Sequence, residues 1–580
     1  MKRSIFIALW LGSIAASPLQ AQKDTTLTRT VVVENEYNPN IMDANKINVL
    51  PRIEEPSVTK KEIEYARTEK PFSAFKPYSM SNFAPMPMQT DATRGWVNLG
   101  YGNYGNLLGR ISYLYSLGKK DNLHVSAAFD GQHAKLELPD SKEKWSSRFY
   151  QTQINGHYSH RFRQAELGVK GSFGLQTFNY LPYAGQLSDK QDNTTGNIGI
   201  YLRSALPDHK WQYTAGVDFT FFGQKYFYFA QESGDGRSET GIHANAGVSY
   251  QVSAENKLGL DIEINHYNYS QDDKTYTVPS YTGGDRTTML ANLSGTGLNG
   301  MNEADNNAQN TISLPPFENY MLFRLNPYYA LTQETLRLRI GAQIDWSTGF
   351  DSGIKIAPDV LVEFPFSESY IFYIQGKGGV MPSDFRRMNA LSPYWDAIQQ
   401  LKNTHMQLDA TVGFKAGISQ GFNLHLFGGY ELCDDDLLVI PDSYGPNMLT
   451  QDKANSVKGG LSANYLYKDL ISVSAQAVYH SWSTDKDNKS YLYTKPAFDL
   501  RLNVTGKVEK LNWEAGYQYT SRYKGEMEAI NDLYLTLSYP LLENTSVWVK
   551  ADNLFNRSYQ YYWGYPTEKI NFMLGASLRF

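Results

Sequence analysis

The stretch NFMLGASLRF, Asn571 to Phe580, alternates: Phe572, Leu574, Ala576, Leu578 and Phe580 are apolar, and the residues between them are small or polar except Met573. A period of two is a strand with two differently solvated faces. The pattern recurs along the chain. KLGLDIEINHY sets Leu258, Leu260, Ile262 and Ile264 against Asp261, Glu263 and Asn265. ETLRLRIGAQIDW sets Leu338, Ile340 and Ile344 against Arg337, Arg339 and Asp345, and AFDLRLNVTG sets Leu500 and Leu502 against Asp499 and Arg501. So many one-sided strands either turn their apolar faces on one another, as in a soluble sandwich, or turn them to lipid.

The connections decide between the two. Short polar links such as 118–121, 161–164, 253–256, 332–335 and 508–511 alternate with longer ones at 131–147, 179–192, 227–238, 271–311, 382–404 and 486–492. Short turns at one end and long loops at the other mark an outer-membrane barrel, whereas a sandwich has no reason to sort its loops by parity. Counting from Gly95 gives about 22 strands of roughly 10–16 residues, enough to cross a bilayer when tilted. The expectation is an all-β fold: a transmembrane antiparallel β-barrel over 95–580, in the bacterial outer membrane, in contact with its lipid. Trp96, Trp346, Trp482, Trp548 and Trp563, with 42 tyrosines, fit aromatic girdles at the two interfaces; each taken singly reads as plain packing, and the excess is the signal.

The N-terminal part reads differently. Lys2 and Arg3 precede IFIALWLGSIAA, which is too short to span a bilayer as a helix, so 1–21 reads as a signal peptide cleaved after Ala21. Residues 22–94 are rich in proline and charge, as in EEPSVTKKEIEYARTEKP, and read as an extended periplasmic or lumen segment. Cys433 is the only cysteine, so no internal disulfide holds the fold. A net charge of −5 without a basic block points away from nucleic acid.

The last 32 residues carry a resemblance. Asn553-Leu554-Phe555-Asn556, Tyr559, Tyr565-Pro566, Gly575 and the terminal Phe580 are similar to the end of a TonB-dependent receptor barrel, with Pro566-Thr567-Glu568 where Pro-Gly-Arg is common. The resemblance implies an outer-membrane transport protein with an N-terminal plug. Residues 22–94 are too few for that plug and show no compact α/β pattern. Thr30, Val31, Val32 and Val33 resemble the box through which the family pairs with TonB, by adding a strand to a periplasmic sheet, and read equally as a short apolar clip that docks this barrel or a neighbour. Phe572, Leu574, Leu578 and Phe580 resemble the C-terminal signal read by the outer-membrane insertion machinery. Both the N-terminal segment and the C-terminus are then periplasmic.

Other motifs weigh less. GYGNYG at 100–105 spells a dinucleotide fingerprint, but a strand follows it, so it reads as a hairpin tip. Asp261 and Glu263 share a strand face and could form a catalytic pair; they read instead as lumen-facing charge balanced by Arg337, Arg339, Arg501 and Arg579, with Asp499 beside them. CDDD at 433–436 reads as a solvated loop mouth more readily than as a hard-cation site. SPYWDAIQQLKN at 392–403 reads as a helix, with Ser392 as cap and Pro393 in the first turn. No catalytic, metal or cofactor constellation stands out. Three functions remain open: a transport protein taking up an unidentified substrate, a passive pore, or a non-transporting subunit or scaffold among other outer-membrane proteins.

Overall fold

The computed structural model describes residues 94–580 except 139–142, 182–189, 207–208, 227–235, 271–274, 279–309, 314–315, 368, 398, 420, 441–445, 469 and 486–488. The expected signal peptide, nearly all of the extended segment and Thr30 to Val33 lie outside the described residues.

Twenty-two strands form one antiparallel sheet closed on itself. The first seven are β1 (Gly95–Gly102), β2 (Leu107–Ser116), β3 (Asp121–Glu137), β4 (Lys144–Arg161), β5 (Ala165–Asn179), β6 (Lys190–Ser204) and β7 (Trp211–Gln224). Next come β8 (Ser238–Gln251), β9 (Asn256–Ser270), β10 (Tyr320–Thr332), β11 (Arg337–Gly349), β12 (Gly353–Ser367), β13 (Tyr370–Met381) and β14 (Thr404–Ser419). The last eight are β15 (Phe422–Asp434), β16 (Asn455–Tyr467), β17 (Ile471–Ser483), β18 (Pro496–Val508), β19 (Leu511–Arg522), β20 (Ile530–Leu542), β21 (Thr545–Asp552) and β22 (Asn571–Arg579). Each strand pairs with its sequence neighbours, and β22 returns to β1. Links at one end, the turn end, run from two residues (368–369) to six (205–210), and the longer ones gather at the other, the loop end.

The outer face of the sheet is apolar. Leu258, Ile340, Ile356 and Leu574 are 51%, 51%, 64% and 62% exposed, so these large apolar side chains stand on the outside of the sheet. Among the described residues no helix is long and apolar enough to cross a membrane; the strands present the apolar belt. With no water to satisfy them, backbone groups at this depth must all pair within the sheet.

The seam where β22 meets β1 shows how closure is secured. Seven residue pairs run from Trp96↔Arg579 to Gly102↔Met573. Gly95 and Phe580 then exchange two backbone hydrogen bonds of 2.8 and 2.9 Å, and the Phe580 ring stacks on Tyr113 of β2 with centroids 5.8 Å apart. On the inner face the Trp548 indole lies flat across the seam. A methyl group added at Gly575 would lie 2.1 Å from it, and one at Gly100 2.5 Å, so both positions need glycine for space. Trp548 Nε1 donates to Asn98 Oδ1 at 2.6 Å.

Residues 131–147, expected as a loop, are mostly strand, because Leu136 and Trp145 turn inward into an apolar core at the loop end. Trp548 and Trp482 are buried (2% and 6% exposed) in inner packing, as each tryptophan taken singly reads, whereas Trp346 and also Trp211 lie on the outside at about half exposure. The segment 392–403 is not a helix. The one α-helix among the described residues is α1 (Phe385–Leu391), and Ser392 is its C-cap. Trp395 and Asp396 instead pair with Asn447 and Met448, and burial of Trp395, Ala397 and Leu401 outweighs helix propensity.

Closure at the seam is expected to fail first when the indole is removed. Trp548→Ala should cost about 3–5 kcal/mol, the range for truncating a buried aromatic, and Gly575→Leu should overpack the same place. Both should lower the temperature at which the folded barrel loses its fast gel mobility. An unchanged transition would remove Trp548 from the closure.

Candidate functional site

Among the links at the loop end are four, 382–403, 435–454, 484–495 and 553–570, whose described residues meet one another. They pack together into a cap. Asp384, in extended backbone, caps α1, its carboxylate accepting Arg387 N at 2.7 Å. Trp395–Asp396, Asn447–Asp452 and Asp436–Val439 then form a small three-stranded sheet. Phe385, Met388, Trp395, Leu437 and Leu449 bury their side chains together, against Phe222 of β7. This is a soluble-type core built from loops.

The 382–403 loop reaches far around the ring. Asn389 donates to Gln176 of β5 and accepts from Asn193 of β6, both at 2.9 Å. Arg386 donates to the carbonyls of Gly196 and Phe221, on β6 and β7. The Tyr394 ring stacks on Tyr565 with centroids 3.5 Å apart and meets Phe178 of β5 edge-on. Elements leaving β13 therefore end against β5 to β7.

Buried charge pins these loops to one another. Asp436 accepts from Lys495 at 2.5 Å and lies 3.4 Å from Arg387, so one carboxylate joins three loops. Its side chain is 4% exposed, which corrects the expectation of a solvated acidic mouth at 433–436. Arg237 lies 3.4 Å from Asp396 and donates to the Ala397 carbonyl. Burial pushes the Asp396 carboxyl above its usual range, against the pull of Arg237.

The 553–570 loop starts on two left-handed residues, Asn553 (φ 50°) and Asn556 (φ 55°), the asparagines of the sequence motif. Asn553 accepts from Arg557 N at 3.0 Å and donates to the Arg557 and Glu568 carbonyls at 2.6 and 2.9 Å. Asn tolerates this backbone because its short amide can bond locally. Glu568 accepts from Asn106 and Asn571 at 3.0 and 2.9 Å, tying the loop to the β1–β2 connection. Burial pushes the Glu568 carboxyl up to about 7, opposed by those amide donors.

Beneath the cap lies a cavity of about 930 Å³. Arg386, Asn389, Tyr394 and Tyr562 line its roof, and Asn464 and Gln476 line it toward the turn end. Its size suits a small ligand.

The sequence-selected charges are distributed rather than convergent. Asp261 and Glu263 of β9 and Arg337 and Arg339 of β11 lie on the strand faces opposite the exposed Ile262 and Ile340. Arg339 pairs with Asp359 at 2.7 Å and with Asp261 at 3.7 Å, while Arg337 is exposed at the start of its strand. Arg324 joins Glu263 and Asp345, both at 2.8 Å. Arg324, Asp345 and Asp359 were missed as partners, though each lies on the inner parity of its strand. Asp499 and Arg501 pair with each other at 3.0 Å on β18, seven strands away from β11, and Arg579 ends β22. Of these seven, Arg501 alone lines the cavity. Phe572, Leu574, Leu578 and Phe580 all face outward, 46–62% exposed. Among the described residues no cluster of metal ligands occurs.

No protein-family model matches the chain. No curated protein matches it either. Solved structures do. The FrpB iron transporter from Neisseria meningitidis matches with a TM-score of 0.61 and 10% identity, over 85% of this chain and 83% of that one. The siderophore receptor PiuA from Acinetobacter baumannii gives 0.61 and 12%, over 85% and 82%. FpvA of P. aeruginosa, solved with heterologous pyoverdines, gives 0.58 and 13%, over 84% and 72%. These neighbours are transporters and receptors rather than enzymes, and the fold is the 22-stranded barrel of TonB-dependent receptors.

Two outcomes follow for the cap. Asp436→Asn leaves Lys495 buried without its charge partner, at a cost of about 3–5 kcal/mol, and should make 384–454 open to external protease while the barrel stays folded. Protection equal to the parent protein would show that the apolar core alone holds the cap. For Glu568 the folded state holds its proton more tightly than the unfolded chain. Its stabilising contribution is therefore full below the ordinary glutamate range and is lost as pH rises toward about 7. Amide exchange over 553–570 should quicken between pH 5 and pH 8 beyond the intrinsic rate, and Glu568→Gln should abolish that excess.

Proposed function

We propose that this chain is an outer-membrane transport protein working in the manner of a TonB-dependent receptor, with both termini on the periplasmic side. The observation that carries the reading is the cavity of about 930 Å³ inside a 22-stranded barrel, beneath a cap made of its own loops. Barrels of this strand number have lumens too wide for side chains to fill and serve as transporters. Neighbours with this barrel include an iron transporter and a siderophore receptor. The loop end faces outward from the cell, the apolar belt meets outer-membrane lipid, and the outward Phe572, Leu574, Leu578 and Phe580 are the signal taken up by the insertion machinery. Thr30 to Val33 supply the strand that a TonB-type periplasmic protein pairs with.

A second reading is favoured by the cap itself. Asp436, Lys495 and Arg387 lock three loops around a buried core, as suits a non-transporting subunit that presents a fixed surface to other outer-membrane proteins. Energy coupling separates the two. The purified protein should bind the periplasmic domain of a TonB-type protein, and deleting 28–37 should weaken binding at least about tenfold, since the added strand supplies the main-chain bonds. Absence of binding by the intact protein would overturn energised uptake and leave the scaffold. An open conductance of the intact protein in a planar bilayer would point to a passive pore.

A further inference from the structure

The lysines and arginines of the barrel wall are sorted by face. Among the described strand residues nearly all take the inward parity, opposite the lipid-facing side chains. The outward ones are Lys135 on β3, Lys144 and Arg148 on β4, and Lys190 at the start of β6. All of these are exposed, and all lie at the loop end of one arc of the wall. Cations that only marked the edge of the bilayer would ring the barrel. These are confined to neighbouring strands.

The register brings them together. His133 stands opposite Arg148, Lys135 opposite Ser146, and Glu137 opposite Lys144. Arg148 N donates to Asn179 Oδ1 at 2.7 Å, and Asn179 stands opposite Lys190. His133, Arg148 and Lys190 therefore share one row across β3 to β6. Among the described residues Lys135, Lys144 and the Arg148 guanidinium have no hydrogen bond or ion pair. The acids nearby are engaged: Glu137 lies 3.4 Å from Lys569 and Asp192 3.4 Å from Lys225, and Glu143 is not free either.

Below the row the outward positions turn apolar. Phe129 stacks on Tyr150 with centroids 6.3 Å apart, and Phe173 and Leu175 of β5 are 43% and 37% exposed. Arg148 lies two residues beyond Tyr150, about 7 Å at the rise of a strand. Behind the row Leu136 and Trp145 enter an apolar core with Phe178, and the Trp145 indole donates to the Tyr180 carbonyl at 3.1 Å. That core keeps β3 and β4 in strand past the apolar belt. The cations thus stand on a backed sheet and not on loose loop.

A ligand that fits here carries negative charge at the level of the row and alkyl chain below it. Lysine and arginine both bind phosphate, arginine through two parallel donors. Clusters of such cations beside a bilayer recognise anionic headgroups. We propose that this arc binds the phosphate of a phosphorylated glycolipid in the outer leaflet, with its acyl chains against Phe129, Tyr150, Phe173 and Leu175. The choice of leaflet rests on the outward placing of the loop end in the transport reading; the phosphate site does not.

The test is native mass spectrometry of the full chain in a non-ionic detergent, with lipid A bisphosphate and with the same lipid stripped of its phosphates. At roughly fivefold per surface cation, Lys135→Gln together with Arg148→Gln should weaken binding of the bisphosphate about thirtyfold. Added salt should weaken binding to the parent protein. The stripped lipid should bind the parent no better than the bisphosphate binds this variant. Lys119→Gln with Lys120→Gln, at the turn end, should leave both lipids unchanged. Equal binding of the two lipids, an equal loss from the turn-end pair, or inorganic pyrophosphate binding as tightly as the lipid would overturn the proposal. The leaflet is read on whole cells, where Arg148→Cys should react with an impermeant maleimide while the native Cys433 stays buried. Absence of that reaction overturns the glycolipid through the orientation, whereas lost phosphate discrimination overturns it at the site, so the two failures are told apart.

Discussion

A backbone amide in lipid has no partner except another backbone group, and the whole molecule follows from that requirement. A strand can cross the bilayer only beside another strand, so a sheet there must close. In this chain closure falls at one seam, where β1, only eight residues long, meets β22. Seven pairs hold it, and the inner surface needs an indole across two glycines to stay flush. The same device recurs on the wall, as where Tyr328 lies over Gly259. Bare glycine in a strand is weak, and a ring from the neighbouring strand restores the contact that a side chain would have made.

Closing 22 strands creates a second problem. The ring is too wide for side chains to meet across it, so the inner face must be hydrated or filled with more chain. At the loop end it is filled. Trp395, Phe385 and Leu449 form a core that would be ordinary in a soluble domain, and β7 serves as part of its floor through Phe222. Such a core tolerates few charges, and those present tie loops together: one carboxylate, Asp436, answers two cations from two other loops. A buried pair of this kind adds little over an apolar contact but penalises every arrangement that separates its members. It specifies which loops meet.

The barrel was legible in the sequence because both of its signals are local. Alternation in KLGLDIEINHY shows which side chains meet lipid without knowledge of any neighbour, and loop parity needs only the order of elements. The cap was not legible, because its contacts join residues far apart in the chain: Tyr394 with Tyr565, Arg237 with Asp396, Asn389 with Gln176. SPYWDAIQQLKN has the cap residue, first-turn proline and composition of a helix, yet its Trp395 finds an edge to pair with and a core to enter. The wall charges fell between these cases. Parity placed Asp261 and Arg339 on one face, but pairing Arg339 with Asp359 required the register of β11 against β12.

That register carries a functional consequence. Inner-face residues of adjacent strands lie opposite one another, so a carboxylate and a cation on neighbouring strands neutralise each other before any solute arrives. Arg324 between Glu263 and Asp345, Lys458 between Asp409 and Glu431, and Arg110 against Asp130 repeat this around the ring. A wall built this way carries much of its charge in pairs that the register of neighbouring strands dictates.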